Sequence, residues 1–253
     1  MNGVKPGPDH VGPESAGLES VAELPRLASS TNGRYWVLPS QVWMADGLSA
    51  VQRACFPDLS EAELMGPEHF RAQLQIFPEG QFAVWDSLEG RVAASSTDLI
   101  LDIDFARYAH PYMEEVGDNT LSTHQPQGRW LYGADIGVHP DYRGQGLSTL
   151  LYSARQALVR RLKLRGHAAG AMPKGYSRHA QVMPIEEYVH RVVLNELQDP
   201  VLSVQLKRHY RVWGIIPDYL DDASCCNYGV FIVWRNPDLG WPEKMGWPEQ
   251  ARA

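Results

Sequence analysis

The sequence predicts an α/β (α+β) protein built on one mixed central sheet of about seven strands flanked by helices. Three observations lead there. Short runs rich in alternating, β-branched and aromatic residues recur along the chain, and segments with apolar residues at three- and four-residue spacing separate them. One strand-like run, WLYGADIGV (130–138), passes through HPDYRGQG directly into a long helical pattern, the strand, loop and helix order of a layered α/β domain.

Taken in order, RYWVLP (34–39) reads as a strand, and helical spacing follows around Val51, Ala54 and Cys55. PEHFRAQLQIF (67–77) reads as a helix with Pro67 near its first turn, where a missing N–H is harmless. QFAVWD (81–86) and RVAASSTDLIL (91–101) flank the turn Leu88-Glu89-Gly90 as a hairpin. After the strand at 130–138, Leu147, Leu150, Leu151, Ala154, Leu158 and Leu162 mark one buried face of a long helix. HAAGAM (167–172), a helical region ending near Tyr210, then RVWGII (211–216) and YGVFIVWR (228–235) complete the sheet.

Residues 1–32 are rich in Gly, Pro and Ser and read as a flexible tail. Residues 237–253 repeat GWPE twice and read as a Trp- and Pro-rich tail, with Trp241 and Trp247 placed to dock on the domain or on a second subunit. Between them, 33–236 reads as one folded domain with insertions near 102–129 and 173–199. The net charge of −7 argues against a broad nucleic-acid surface, which needs clustered Lys and Arg; small cationic or neutral partners fit better. Three cysteines, with Cys225 and Cys226 adjacent, give no disulfide framework and favour a reducing, cytoplasmic setting. A redox or metal pair is the alternative for the vicinal cysteines, but no His lies at ligand spacing, so buried small side chains are expected and no metal. There is no cleavable signal and no apolar run of about 18 residues, so neither export nor membrane spanning is expected.

The stretch HPDYRGQGLSTLL (139–151) carries the chemistry. The first turn of a helix has N–H groups without intrahelical partners and a dipole that favours negative charge, so a glycine-rich junction between strand and helix suits an anion. Glycines there let the backbone approach a phosphate closely. An ordinary strand-to-helix turn is the plain alternative. Two nucleotide motifs are absent: GxxxxGK[ST], and GxGxxG with an acidic ribose partner. Arg160, Arg161, Lys163 and Arg165 sit near the helix end, where they complement its dipole and need no ligand.

ADIGVHPDYRGQGLSTLLYSARQAL resembles the central motif of the GCN5-related N-acetyltransferases, in which a strand ending in V-x-P precedes [RQ]-x-x-G-x-[GA] and a long helix. Arg143, Gly146 and Ser148 stand at the three signature positions; Ser148 departs from Gly/Ala but is small, with a hydroxyl able to donate to phosphate. The resemblance extends from about residue 34 to 235. QIFPEGQ (75–81), LYGADIGVHPDYRG (131–144) and DPVLSVQL (199–206) further resemble a subgroup found fused to, or encoded with, nitrilase-like amidohydrolases, although no hydrolase domain fits in this chain.

The resemblance implies a mostly antiparallel acyl-CoA acyltransferase sheet and acetyl-CoA as cosubstrate. It implies that the loop amides of Arg143, Gly144, Gln145, Gly146, Leu147 and Ser148 bind the pyrophosphate. The pantetheine arm would pair with the strand edge at Ile136, Gly137 and Val138, and the amide near Val138 would face the thioester carbonyl and stabilise its oxyanion. The attacking amine must lose a proton. Asp135 is the candidate base, since alternation puts it on one strand face with Gly133 and Gly137, which leave it room. An unperturbed Asp titrates near about 3.9, so burial or a water relay would be required, and an Asp satisfied by backbone amides at a β-bulge is an equal alternative. His139 is a weaker candidate, as the residue of the turn that enters the loop. The family's thiolate-protonating Tyr falls on Gln205 here, which cannot donate a proton in that way. Tyr210, another hydroxyl, or solvent would have to substitute.

Two insertions are expected to set substrate choice. In 102–129, Asp102, Asp104, Glu114, Glu115 and Asp118 would attract a cationic amine if they are not simply solvated. In 173–199, PIEEYVHRVVLNEL (184–197) would either cover the acyl site or pack on the domain with Ile185, Tyr188, Val189 and Val192. Three functions stay open: an N-acetyltransferase for a small-molecule primary amine, a non-catalytic acyl-CoA-binding module that regulates or scaffolds a partner such as an amidohydrolase, and a domain with no ligand. A homodimer is compatible with each.

Overall fold

The computed structural model describes residues 21–240. The Trp-rich tail with Trp241 and Trp247, and the first part of the N-terminal tail, lie outside the described residues. Eight strands form one sheet in the order β1-β2-β3-β4-β5-β6-β8-β7. They are β1 (Ala28–Ser29), β2 (Tyr35–Pro39), β3 (Gln81–Asp86), β4 (Arg91–Leu101), β5 (Trp130–Val138), β6 (Gly166–Ala171), β7 (Arg211–Ile216) and β8 (Gly229–Arg235). The strand absent from the sequence reading, β1, is two residues long and pairs with Val37 and Trp36 of β2. The expected flexible tail is therefore folded from residue 21 onward: Val21 is buried among Leu38, Met44 and Leu48, and the few apolar residues around it, broken by Pro25, are too short a run to show a period.

Six α-helices among the described residues cover the two faces. α1 (Ala45–Cys55) and α2 (Pro67–Ile76) lie on one face with the 102–129 insertion, which holds the short α3 (Tyr112–Val116). α4 (Leu147–Arg161), α5 (Ile185–Val193) and α6 (Leu202–Leu206) lie on the other. Strand alternation sorts the core between them, with Leu131, Ala169, Val230 and Ile232 towards α4, and Trp130, Tyr132, Ala168, Phe231 and Val233 towards the insertion. Both insertions are part of the core. Val116 and Leu121 of the first are fully buried, and Ile185, Tyr188, Val189 and Val192 of the second pack against the α4 side of the sheet. Cys225 is buried, as expected for a small apolar side chain.

All strand pairs are antiparallel except β5 with β6, and that pairing stops early. Trp130, Leu131 and Tyr132 face Gly166, His167 and Ala168, and beyond them the two strands have no paired residues. β5 meanwhile stays paired with β4 to Val138. The sheet thus opens into a wedge at its centre, between the second halves of β5 and β6. Small residues wall it on one side, because HAAGA offers no bulk there. No described helix is long and apolar enough to cross a membrane.

Candidate functional site

Two features meet at this wedge, and the first is the glycine loop. β5 leads through the 3₁₀ turn Pro140–Tyr142 to Gly144 and Gly146, which hold φ of +76° and +79°, and α4 starts at Leu147. Both glycines are needed for that left-handed backbone. No atom lies within 4 Å of where a Cβ would stand on either, so the loop surface is open to an approaching ligand. The loop is pinned from below. Buried Tyr142 accepts from Arg91 Nε at 2.7 Å, and the Tyr35 hydroxyl bonds Gln145 Oε1. His139 is the turn residue, its Nδ1 accepting the Asp141 amide at 3.3 Å. Thr149 and Leu150 begin the helical ladder on the Gly146 carbonyl, so the Leu147 and Ser148 amides precede it. His139 N–H bonds Ala93 O on β4 at 3.0 Å, so by alternation Gly137 also turns to β4, while Ile136 and Val138 turn their peptide groups into the open wedge.

The second feature is a cavity with about 90 Å³ of free volume in the wedge itself, between Gly133–Ile136 of β5 and Ala169–Met172. Gln52 and Phe56 close it from the α1 side with Tyr112 and Tyr219, and Arg155 and Gln205 line it from the α4 side. Asp135 lines it, but for a reason that strand alternation misses. Thr97 pairs with Asp135 and Asp98 with Gly133, which leaves Ala134 as the extra residue of a β-bulge. The bulge turns Asp135 away from the Gly133 face: a Cβ on Gly133 would meet His167 and Arg155, whereas one on Gly137 would meet Cys55 and Phe56. Asp135 therefore shares the α1 face with Gly137 only.

The chemistry of the cavity follows from what is left unpaired. Asp135 Oδ2 and Gln205 Oε1 are both buried without a hydrogen-bond partner among the described residues, and both are acceptors. Burial pushes the Asp135 carboxyl up from its ordinary 3.8 to about 7, with the Asp98 charge adding to the rise and Arg155 and the Ile136 amide opposing it. The cations nearby are committed. Arg155 Nε lies 2.9 Å from Asp98 Oδ1 and 2.6 Å from Ser96 Oγ, and its Nη2 donates to the carbonyls of Thr97, at 3.2 Å, and Asp135. Arg155 thus braces the bulge from the α4 side. A charged residue inside the buried stripe of α4, between Ala154 and Leu158, is the sequence signal that could have revealed it.

Tyr210 belongs to this brace and does not line the cavity. Its hydroxyl lies 3.0 Å from His167 Nδ1, and His167 Nε2 lies 3.0 Å from Asp98. The register of α6 sets this: Gln205 faces the cavity, and Tyr210, just past the helix, faces His167. None of Asp102, Asp104, Glu114, Glu115 or Asp118 lines the cavity; Asp102 is bound to Arg129 at 2.7 Å. The insertion contributes Tyr112 instead. Gln52 and Phe56 at the end of α1, Tyr112 and Tyr219 come from three separate segments with no shared motif, so nothing in the sequence joined them to the site. Among the described residues no group of three His, Cys, Asp or Glu is placed to hold a metal.

No family model matches the chain. It is 30% identical over 190 residues to "Uncharacterized N-acetyltransferase YkwB" of Bacillus subtilis (strain 168), covering 75% of this chain and 83% of that one. It is 34% identical over 194 residues to "Probable hydrolase YhcX" of the same organism, covering 76% of this chain but only 37% of that protein's length. Among solved structures, the fold resembles the loading GNATL domain of CurA from Lyngbya majuscula, with TM-score 0.68, 19% identity, and coverage of 81% of this chain and 99% of that one. It also resembles the GphF GNAT-like decarboxylase in complex with isobutyryl-CoA, with TM-score 0.64, 18% identity, and coverage of 79% and 98%. At these identities the structural neighbours share the fold alone.

Proposed function

Since this chain belongs to the GCN5-related N-acetyltransferase superfamily of acyl-CoA-dependent acyltransferases, we propose that it moves an acetyl group from acetyl-CoA to a primary amine of a small molecule. One observation carries the choice of acceptor: the two unpartnered groups in the wedge cavity, Asp135 Oδ2 and Gln205 Oε1, both need a donor. A primary amine brings two or three N–H donors, the kind of group that both acceptors lack. A carboxylate-bearing acyl group, as a decarboxylase would take, would meet an Arg155 whose Nε and Nη2 are already bound to Asp98, Ser96 and two carbonyls.

In this reading the Gly144–Ser148 loop holds the pyrophosphate at the start of α4, and the Ile136 and Val138 peptide groups pair with the pantetheine arm along the open edge of β5. Asp135 takes a proton from the ammonium group, a task suited to a carboxyl raised to about 7. The neutral amine attacks the thioester carbonyl, the Val138 N–H stabilises the oxyanion, and its collapse breaks the C–S bond while the second proton of the attacking nitrogen goes to neutralise the departing thiolate. The thiolate leaves readily, its parent thiol titrating near about 8.5, which makes a Tyr at position 205 dispensable.

The test is a thiol-release screen with acetyl-CoA across polyamines, amino acids, aminoglycosides and peptide N-termini, run beside thermal melting with CoA. Release with a small amine is the expected result. CoA-dependent stabilisation without release from any amine would overturn the transfer reading and favour a regulatory acyl-CoA-binding module, to be sought with an amidohydrolase partner or as a homodimer.

A further inference from the structure

A base must be reset at each turnover, and Asp135, 8% exposed, lines a cavity that the substrates themselves would fill during transfer. A line of hydroxyls leads out of its cavity. Tyr219, in the connection between β7 and β8, lines the cavity, and its ring occupies the space that a side chain on Gly170 would fill. The Tyr219 hydroxyl lies 3.2 Å from that of Tyr132 on β5. The Tyr132 hydroxyl lies 2.9 Å from His110 Nε2 in the 102–129 insertion. Tyr132 is fully buried, while His110 is half-exposed and lines a separate depression that also holds the exposed Asp102 and Asp104.

The line can carry a proton outward. Each tyrosine hydroxyl can donate to one neighbour while accepting from the other, and in the imidazole tautomer protonated on Nδ1 the His110 Nε2 accepts from Tyr132, so the three groups form an unbroken path from the cavity. Burial holds the His110 imidazole below its ordinary range, so it stands neutral near neutral pH and readily releases to solvent a proton that reaches it. The groups around it are Tyr132, the Tyr219 and Phe231 rings, Glu115, Arg107 and the two aspartates.

We propose that Tyr219, Tyr132 and His110 form the proton exit of the active site, an inference that rests on the amine-transfer reading above. The proton broken from the ammonium N–H goes to Asp135 and, across a cavity wide enough for water, to the Tyr219 oxygen. As it arrives, the Tyr219 proton moves to Tyr132 and the Tyr132 proton to His110 Nε2, and the imidazolium gives its proton to solvent. No charge is left in the cavity when the cycle closes.

The test uses the full chain with the amine found by the thiol-release screen, and compares Tyr132→Phe, Tyr219→Phe and His110→Gln with wild type between pH 6 and 9. Each is expected to lower kcat about tenfold or more, with KM for the amine and the CoA-induced melting shift unchanged. The double variant Tyr132→Phe/His110→Gln should be no slower than the slower single one, since both cut the same line. Added imidazole should restore part of the rate of His110→Ala, which a packing role would not allow. Wild-type kcat and pH profile in Tyr132→Phe, with Asp135→Asn inactive, would overturn the proton exit and leave the transfer reading standing. If Tyr132→Phe fails to fold, unchanged kcat in His110→Gln, whose side chain is half-exposed, overturns it equally. No thiol release by the wild type would overturn both.

Discussion

Replacing Asp135 by Asn should make the ligand-free protein more stable while removing its activity, and the gain should depend on pH in a defined way. The carboxyl titrates at 3.8 in the ordinary case and at about 7 in the folded chain. The folded state therefore holds this proton longer than the unfolded state does. The stability linked to Asp135 is complete below about pH 4, falls as pH rises towards 7, and stays low above that. At about 1.4 kcal/mol per pH unit, a rise of some three units amounts to about 4 kcal/mol, an upper figure because the cavity relaxes and admits water. Asn keeps the shape and does not titrate. Against wild type, Asp135→Asn should melt at the same temperature near pH 3 to 4, progressively higher above that, and several degrees higher at pH 8, and the difference cancels the other titrating groups. In the thiol-release assay kcat/KM should drop by about 10²–10⁴-fold, with partial recovery at alkaline pH, where more amine is already neutral. A variant that melts lower than wild type at every pH would refute the reasoning, since it would show the carboxylate to be held by backbone amides at the bulge.

Other changes separate the loop, the brace and the insertion. CoA at about 100 times its Kd should stabilise wild type by about 2.7 kcal/mol, and Ser148→Asp should abolish that shift while leaving the ligand-free melt unchanged or slightly raised, because an anion in the first turn of α4 suits the helix dipole and repels pyrophosphate. A normal CoA shift in Ser148→Asp would mean that the loop has been misread. Arg155→Leu strands the buried Asp98 charge and should lower stability by about 3–5 kcal/mol in denaturant unfolding, a loss that Asp98→Asn in the same chain should partly reverse. Replacing 106–126 by a short Gly/Ser linker should unfold the domain by circular dichroism, since Val116 and Leu121 are fully buried; substrate-side tests there call for single changes such as Tyr112→Phe.

Local chemistry was legible in the sequence wherever one segment contained its own cause. RVAASSTDLIL and WLYGADIGV were legible to the residue as strands, because each is a β-prone run bounded by turn or loop residues, although β4 proves buried on both faces. The RGQG junction was legible because left-handed backbone at Gly144 and Gly146 needs glycine and the apolar stripe of α4 begins at once. The N-terminal boundary was not, since Val21 and β1 are held by distant parts of the fold.

Only the tertiary structure decided the site. A bulge is a mismatch between two strands, so neither strand alone shows that Ala134 is unpaired or that Asp135 swings to the α1 face. The burial that lifts the Asp135 pKa, the brace of Arg155 on the bulge, and the line from Tyr219 to His110 join residues far apart in the chain. Tyr210 shows the limit most plainly: counting along the chain placed a hydroxyl near the site, but a side chain's partner is set by where the helix packs, and the packing gave that hydroxyl to His167. A chain's local preferences act over a few residues and choose its elements; desolvation and charge act through space, and they exist only once the elements have met.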